Sequence, residues 1–575
     1  MSVAGASRLF SIFALAVPGM ALAQVPTRDQ VEPPVPAKPA DRGKIEIDSR
    51  AALERAPCPL ETSTVMATIT RVEFTSSRGG ALAPEIAALL QSIGGVGANQ
   101  PIRVVCDIRD RANEALRQAK YVATVQVPAQ RIEDGTLRLE VVTARIVEMR
   151  VRGDPGPYER VIQENIDALK RLDPLNEAEA ERLLLLVGDT PGLDVLLSLR
   201  PAGTTPGDVI GEMTVDYKRL SVIANAQNYN SRQLGRETGY VRAEYRGITG
   251  AADSAFLGLS STFQFDEQKI VQVGYQIGIN GAGTTIGTRL TYAISRPDLD
   301  QLRLQTKSVI ATFELSHPLV RSVNANFGIT SGIEYSQQRT VVQSNTGNTP
   351  LNLDRVTTLF LRAAGDWRAL TPTGEDKVRV GGFFELRQGI AAFGATKTGV
   401  VTPDGFTPSR FEGSATPTIV RGAIDTKFGL GPIFDLAGSV RGQWSNRALL
   451  NFDEFAVGNL TIGRGYDPGS NSGDRAIGAS IELRAKVLRS PKLRVELFGF
   501  YDAARIWNID SNSTENNRVL RSYGGGFRLT LPGSALLEVT YARPQDKALS
   551  FDKAPPSDRV LVSLTMQLVP FGGAR

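Results

Sequence analysis

From residue 213 onward the chain alternates. Along 269–280, Val271, Val273, Tyr275, Ile277 and Ile279 fall on one face, and Gln272, Gly274, Gln276, Gly278 and Asn280 on the other. A period of two sends successive side chains to opposite faces of a strand, so one face is apolar and the other wet. The same split returns in 476–487 (Ile477, Ala479, Ile481, Leu483 against Gly478, Ser480, Glu482, Arg484) and in 559–568 (Val560, Val562, Leu564, Met566 against Ser563, Thr565, Gln567). A soluble sandwich alternates too, so the number of segments and the loops between them must decide. Sixteen segments can be placed, near 213–229, 238–247, 254–265, 269–280, 286–296, 306–317, 323–337, 356–368, 376–391, 417–428, 433–446, 475–489, 491–507, 518–531, 534–544 and 558–568. Connections after odd-numbered segments include long ones (338–355, 392–416, 447–474, 545–557), and those after even-numbered segments are short (281–285, 429–432, 532–533). An even strand count with long loops on one side and tight turns on the other is the pattern of a bacterial outer-membrane barrel. The expected fold over 213–575 is a 16-stranded antiparallel transmembrane β-barrel with its long loops at the cell surface.

Upstream the pattern is mixed. Strand Ile69–Phe74, helices Pro84–Ser92 and Ile108–Lys120, and strands Val122–Pro128 and Thr136–Ala144 form one β-α-α-β-β unit, assigned to 65–144. Strand Arg145–Arg152, helices Tyr158–Leu172 and Glu177–Val187, strand Asp194–Arg200 and a strand from about Val209 repeat the order in 145–212. In Glu177–Val187, Leu183, Leu184 and Val187 keep helical spacing, and Asn176 stands where an N-cap is needed. Because the first barrel strand leaves these α+β modules, modules and short turns share the periplasmic side.

Arg8 followed by the apolar stretch Leu9–Ala23, which ends in Ala21-Leu22-Ala23, has the layout of a cleaved signal peptide over 1–23. Residues 24–42 are rich in proline and read as a linker, so 24–64 is assigned as linker with room for a short lumen plug only in 44–55. Export makes a disulfide the expected state of Cys58 and Cys106, the alternative being two separately buried thiols. Lys+Arg 65 against Asp+Glu 60 leaves a formal charge of +5 without a basic cluster, so no nucleic-acid partner is expected. One histidine and two cysteines leave little room for a zinc cluster or a metalloprotease, and the chain is read as a non-enzyme without cofactor. His317 is expected at a periplasmic turn facing solvent, Gly94-Gly95-Val96-Gly97 as a flexible turn, and Trp367, Trp444 and Trp507 as interfacial anchors.

Loop 447–474 carries Phe452, Phe455, Ile462 and Tyr466 among glycines and asparagines, so it is expected to pack against something, with the lumen the obvious place. Within it, Glu454-x-x-x-Gly458 followed by Gly463-Arg464-Gly465-Tyr466 resembles the inward-folding loop of two-partner secretion transporters of the haemolysin secretion/activation type, in the outer-membrane assembly-factor superfamily. That family's partner motif is similar to Phe498-Gly499-Phe500-Tyr501-Asp502, and Tyr121–Gly135 with the strand after it resembles the family's first polypeptide-transport-associated (POTRA) module. The resemblance covers about 65–568. It departs at Ala504, where the family commonly has glycine, and after Leu568, where the chain runs on through Phe571 to Arg575.

The resemblance implies a lumen lock made by Arg464, Gly465, Tyr466 and Asp502. The strand itself agrees, since Asp502 shares parity with Arg494 and Glu496 and so faces the lumen. A guanidinium can grip a carboxylate through two parallel bonds. The function implied is export of a large unfolded adhesin- or haemolysin-like partner without ATP, with module sheet edges capturing the cargo. The partners implied are that secreted protein with its N-terminal secretion domain, outer-membrane lipid, periplasmic chaperones and the barrel-insertion machinery, around a monomeric barrel. The competing readings are a barrel-assembly factor and a passive porin.

Overall fold

A computed structural model describes residues 25–32, 47–48, 53, 57–58 and 60–569, apart from 95–96, 133–134, 204, 300–301, 372–373, 512 and 533. The proposed signal segment 1–23, Gly95-Val96 and Phe571–Arg575 lie outside the described residues.

Sixteen antiparallel strands close into a barrel, each pairing with its neighbours in sequence, and the strand Leu220–Gln227 seals against Arg559–Val569. Outward residues such as Val271, Val273, Leu361, Phe384, Ile477 and Leu483 are exposed, whereas inward residues such as Glu334, Glu385, Asp435 and Asp502 are buried. That inversion is what a protein solvated by lipid outside and polar contents inside requires.

Three boundaries differ from the sequence reading. The segment 213–229 is not one strand: Asp208–Tyr217 completes the sheet of the second module, and the barrel begins at Leu220 after Lys218-Arg219. The stretch 338–355 is not a loop, because Ala325–Ser344 and Gly347–Leu370 keep pairing up to Ser344↔Gly347. This long hairpin holds loop 391–417 through Asn352, whose amide reaches the Thr407 hydroxyl at 3.0 Å, and through the cluster Val341, Leu353, Phe406. His317 lies within the strand Leu304–Arg321, half-buried, with Nδ1 2.9 Å from the Thr284 hydroxyl, not in a turn facing solvent.

The first module has a three-stranded sheet ordered Arg71–Ser76, Thr136–Thr143, Ala123–Gln126, covered by helices Pro84–Leu90 and Val104–Gln118. A further pair, Met66–Ile69 with Gly97–Pro101, went unread in the sequence. Cys58 and Cys106 are joined in a disulfide, which ties the approach segment to the second helix. The second module places strands Leu193–Pro201, Asp208–Tyr217 and Arg145–Asp154 side by side under helices Glu159–Lys170 and Glu177–Gly188. Asn176 caps the latter helix, accepting from Ala178 N–H at 2.9 Å and Glu179 N–H at 3.3 Å.

The module helices rest against the barrel's short turns. Asp189 takes both ends of the Arg321 guanidinium at 2.7 Å, and Glu181 accepts the Val323 N–H at 2.6 Å. The opposite barrel end therefore carries the long loops.

Candidate functional site

The lumen is filled from two directions. Loop residues 447–474 fold inward from the long-loop end, and residues 25–32 lie inside the barrel as well. The second occupant corrects the reading of 24–42 as a plain linker. Thr27 and Gln30 close a capping box around the short helix Arg28–Val31, in which Gln30 and Val31 are buried. The prolines stop the helix from growing, yet one turn is enough to bury Val31 against Ile270, Ala293, Ile310 and Phe452. The segment 44–55 does not supply the occupant where it is described: Ile47 and Asp48 pair in parallel with Leu197 and Ser198 at the edge of the second module's sheet.

Arg464 is the centre of the loop's attachment. Its Nε and Nη2 donate to the two oxygens of Asp502 at 3.1 and 2.8 Å, and its backbone N–H reaches the same carboxylate at 2.9 Å. Nη1 donates to Glu482 at 2.6 Å and Nη2 to the Ser480 hydroxyl at 2.8 Å, while the guanidinium lies 3.5 Å from the centre of the Phe500 ring. Burial works against the Arg464 charge, but hydrogen bonds and charge from Asp502 and Glu482 outweigh it and hold the guanidinium above its ordinary pKa. Asp502 is 1% exposed, so water offers it no alternative partner.

Gly465 and Tyr466 seat the tip. The Gly465 N–H donates to Ser522 Oγ at 3.2 Å, and a Cβ at this position would meet the Pro544 nitrogen and Ser522 Cβ at 2.8 Å. Only a bare backbone fits so close to the wall. Tyr466 is fully buried, with its hydroxyl 2.9 Å from the Arg521 carbonyl, 3.0 Å from the Asp546 carbonyl and accepting the Asp546 N–H at 3.0 Å. Arg559, on the last barrel strand, donates to the Tyr466 carbonyl at 2.7 Å and pairs with Asp467 at 2.9 Å.

Arg528, Glu538, Arg410, Asp474 and Asp510, which sequence reasoning missed, complete the cluster with glutamates it had named. Arg528 bridges Glu482, Glu496 and Glu538 at 2.6, 2.9 and 2.5 Å and lies over Phe498 at 4.1 Å. Their inward parity on adjacent strands was available as a signal. Glu454, at the base of the loop, pairs with Arg410 at 2.5 Å, and Arg410 also holds Asp474 at 2.6 Å and Asp510 at 2.7 Å.

The residue 25–32 segment meets a different wall. Arg28 pairs with Glu334 at 2.5 Å and reaches Asp453 of the loop at 3.5 Å, and Glu334 is shared with Arg387 at 2.6 Å. The Gln30 amide donates to Asn230 at 2.8 Å, and Gln338 donates to the Pro26 carbonyl at 3.0 Å. Below the loop tip an unfilled lumen cavity of about 610 Å³ remains, lined in part by Asp366, Arg379, Asp425, Lys427, Ser439 and Arg484. These inward groups are polar and charged, none is arranged as a nucleophile with a base, and among the described residues no group of metal-ligating side chains occurs. The arrangement holds the loop and the 25–32 segment in the lumen by charge and hydrogen bonding.

Comparison with known proteins agrees with that chemistry. The family model described as haemolysin secretion/activation protein ShlB/FhaC/HecB matches residues 213–529. Among solved structures, CdiB from Escherichia coli superposes with a TM-score of 0.69 at 15% identity, covering 89% of this chain and 92% of that one. CdiB from Acinetobacter baumannii gives 0.58 at 14% identity, covering 93% and 94%. No curated protein sequence matches the chain.

Proposed function

The chain belongs to the haemolysin secretion/activation protein family, and from that premise we propose that it moves one unfolded partner protein from the periplasm to the cell surface, with its modules as the receptor and its lumen loop as the gate. The family and the barrel make it an outer-membrane protein transporter of the two-partner secretion type, not an enzyme. The observation that carries the reading is the Arg464–Asp502 lock, which fixes a long loop across a pore that a passive channel would leave open.

Capture is assigned to exposed sheet edges. Arg71–Ser76 is an outer strand of the first sheet and Arg145–Asp154 of the second, so each has a row of free main-chain groups. The pairing of Ile47–Asp48 onto Leu197–Ser198 supports the idea that the second sheet accepts an added extended segment. An extended cargo gains affinity by such strand addition largely without regard to its side chains. Transport proceeds without ATP, driven by folding of the cargo outside, and the barrel works as a monomer with help from periplasmic chaperones and the insertion machinery during its own assembly.

Deleting residues 65–205 tests this. Each barrel strand has its partners within 220–569, so the barrel should still fold and shift its mobility on heating, while the secreted partner accumulates in the periplasm. Normal secretion without the modules would favour a passive porin.

A further inference from the structure

The outward face of the barrel carries a charge pattern that transport does not use. Directly paired residues across strands Gln268–Gly278, Thr285–Ser295, Leu304–Arg321 and Ala325–Ser344 give the row Lys269, Ile294, Lys307, Arg339. These positions share parity with the lipid-facing Val271, Phe313 and Ile329, and all three cations are exposed. They stand toward the long-loop end, hence near the outer leaflet. Neighbouring strands lie roughly 4.8 Å apart, which puts Lys307 beside Arg339 and Lys269 roughly 10 Å from Lys307.

Elsewhere on the same rim outward cations are satisfied by the protein. Arg521 pairs with Asp546 at 2.8 Å, Arg543 with Asp558 at 3.8 Å, Arg505 donates to Asn517 at 2.8 Å, and Arg475 donates to the Ser445 carbonyl at 2.9 Å. Among the described residues Lys269, Lys307 and Arg339 have no acidic partner, and Arg339 meets only the ring of Phe406 at 4.7 Å. Next to Lys269 an apolar groove of about 510 Å³ runs over the closing seam, formed by Ala224, Ala226, Gly239, Leu259, Leu564 and Met566. Small residues on adjacent strands leave the dent, and its lining offers almost nothing polar.

We propose that this face binds a bisphosphorylated membrane lipid of the outer leaflet, with one phosphate between Lys307 and Arg339, the other at Lys269, and an acyl chain in the groove. Charge complementarity chooses the occupant: a zwitterionic lipid supplies no net negative charge to three unpaired cations, whereas basic side chains at a bilayer surface attract anionic headgroups. An apolar groove beside cations fits a molecule that has both ends.

The test uses the purified full chain in detergent with diphosphorylated lipid A, phosphatidylethanolamine and inorganic phosphate as probes, binding being read by native mass spectrometry. Lipid A should bind and phosphatidylethanolamine should not displace it. The combined variant Lys269→Gln, Lys307→Gln, Arg339→Gln should weaken lipid A binding about tenfold or more. Ala224→Leu, which fills the groove, should weaken it severalfold, and Arg475→Gln across the barrel should leave it unchanged. Heat-modifiable mobility checks that each variant is folded. Lipid A binding within about twofold of the parent in the triple variant, equal binding of phosphatidylethanolamine, or displacement of lipid A by inorganic phosphate alone would each overturn the assignment.

Discussion

The two occupants of the lumen are held in different ways. The loop tip at 463–467 is fastened by side chain and backbone together: three hydrogen bonds from Arg464 to Asp502, a glycine too close to the wall for any other residue, and a buried tyrosine. The segment at 25–32 is one helical turn, held by a shared carboxylate, a few amide contacts and one buried valine. A turn this short contributes little stability of its own, since helix nucleation is costly. The difference makes the loop the firmly held occupant of the lumen and residues 25–32 the weakly held one.

The largest expected effect is at the stronger attachment. In Arg464→Ala the buried Asp502 keeps only the Ser480 hydroxyl as side-chain donor, and stranding one member of such a pair costs about 3–5 kcal/mol when burial is deep. The barrel should still assemble, with surface delivery of the partner falling to background in a secretion assay. Asp502→Ala should be milder, because Glu482 still holds Arg464, and the double variant should match Arg464→Ala if the pair acts as one unit. Additive losses would dissolve the distinction between a locked and a loose occupant.

Gly465→Val comes next. Its side chain would push against the Pro544 backbone, and overpacking of this kind costs about 1–3 kcal/mol. Proteolysis of intact cells should then cut within 447–474, where the parent resists.

Arg28→Ala probes the weaker side. Glu334 keeps Arg387, so no carboxylate is stranded and the barrel should be unaffected. Ion conductance in planar bilayers should rise while export persists. Unchanged conductance would mean that the segment does not limit flow.

The smallest effect belongs to Tyr466→Phe, which loses the hydroxyl's bonds but keeps the ring in place, for about 1 kcal/mol. Secretion should drop slightly and the loop should stay protected.

Legibility in the sequence follows the same physical divide. Barrel strands are readable because lipid on one side and a polar lumen on the other force a period of two over many residues, as in 269–280. Asp502 is readable by parity on its strand. Residues 25–32 are not, because a single turn has no periodicity to display, and Pro26 with the prolines after it argues for a linker while the capping box and the barrel wall supply the order. The hairpin 338–355 misreads for a related reason: Ser344-Asn345-Thr346-Gly347 and Asn352 have turn chemistry, but only the tight connection at 345–346 uses it, and cross-strand pairing carries the rest. The salt-bridge web around Arg528 is invisible to any single strand, since it exists only once four consecutive strands lie side by side in register.

The seam between Leu220–Gln227 and Arg559–Val569 has a consequence for the order of events during assembly. The earliest barrel strand stays unpaired on one side until the latest arrives, so the barrel cannot be closed part-way through. Arg559 belongs to that late strand and also grips the loop at Tyr466 and Asp467. Closure of the wall therefore also adds the last of the loop's contacts, and a barrel arrested before its final strand would lack the grip of Arg559 on Tyr466 and Asp467.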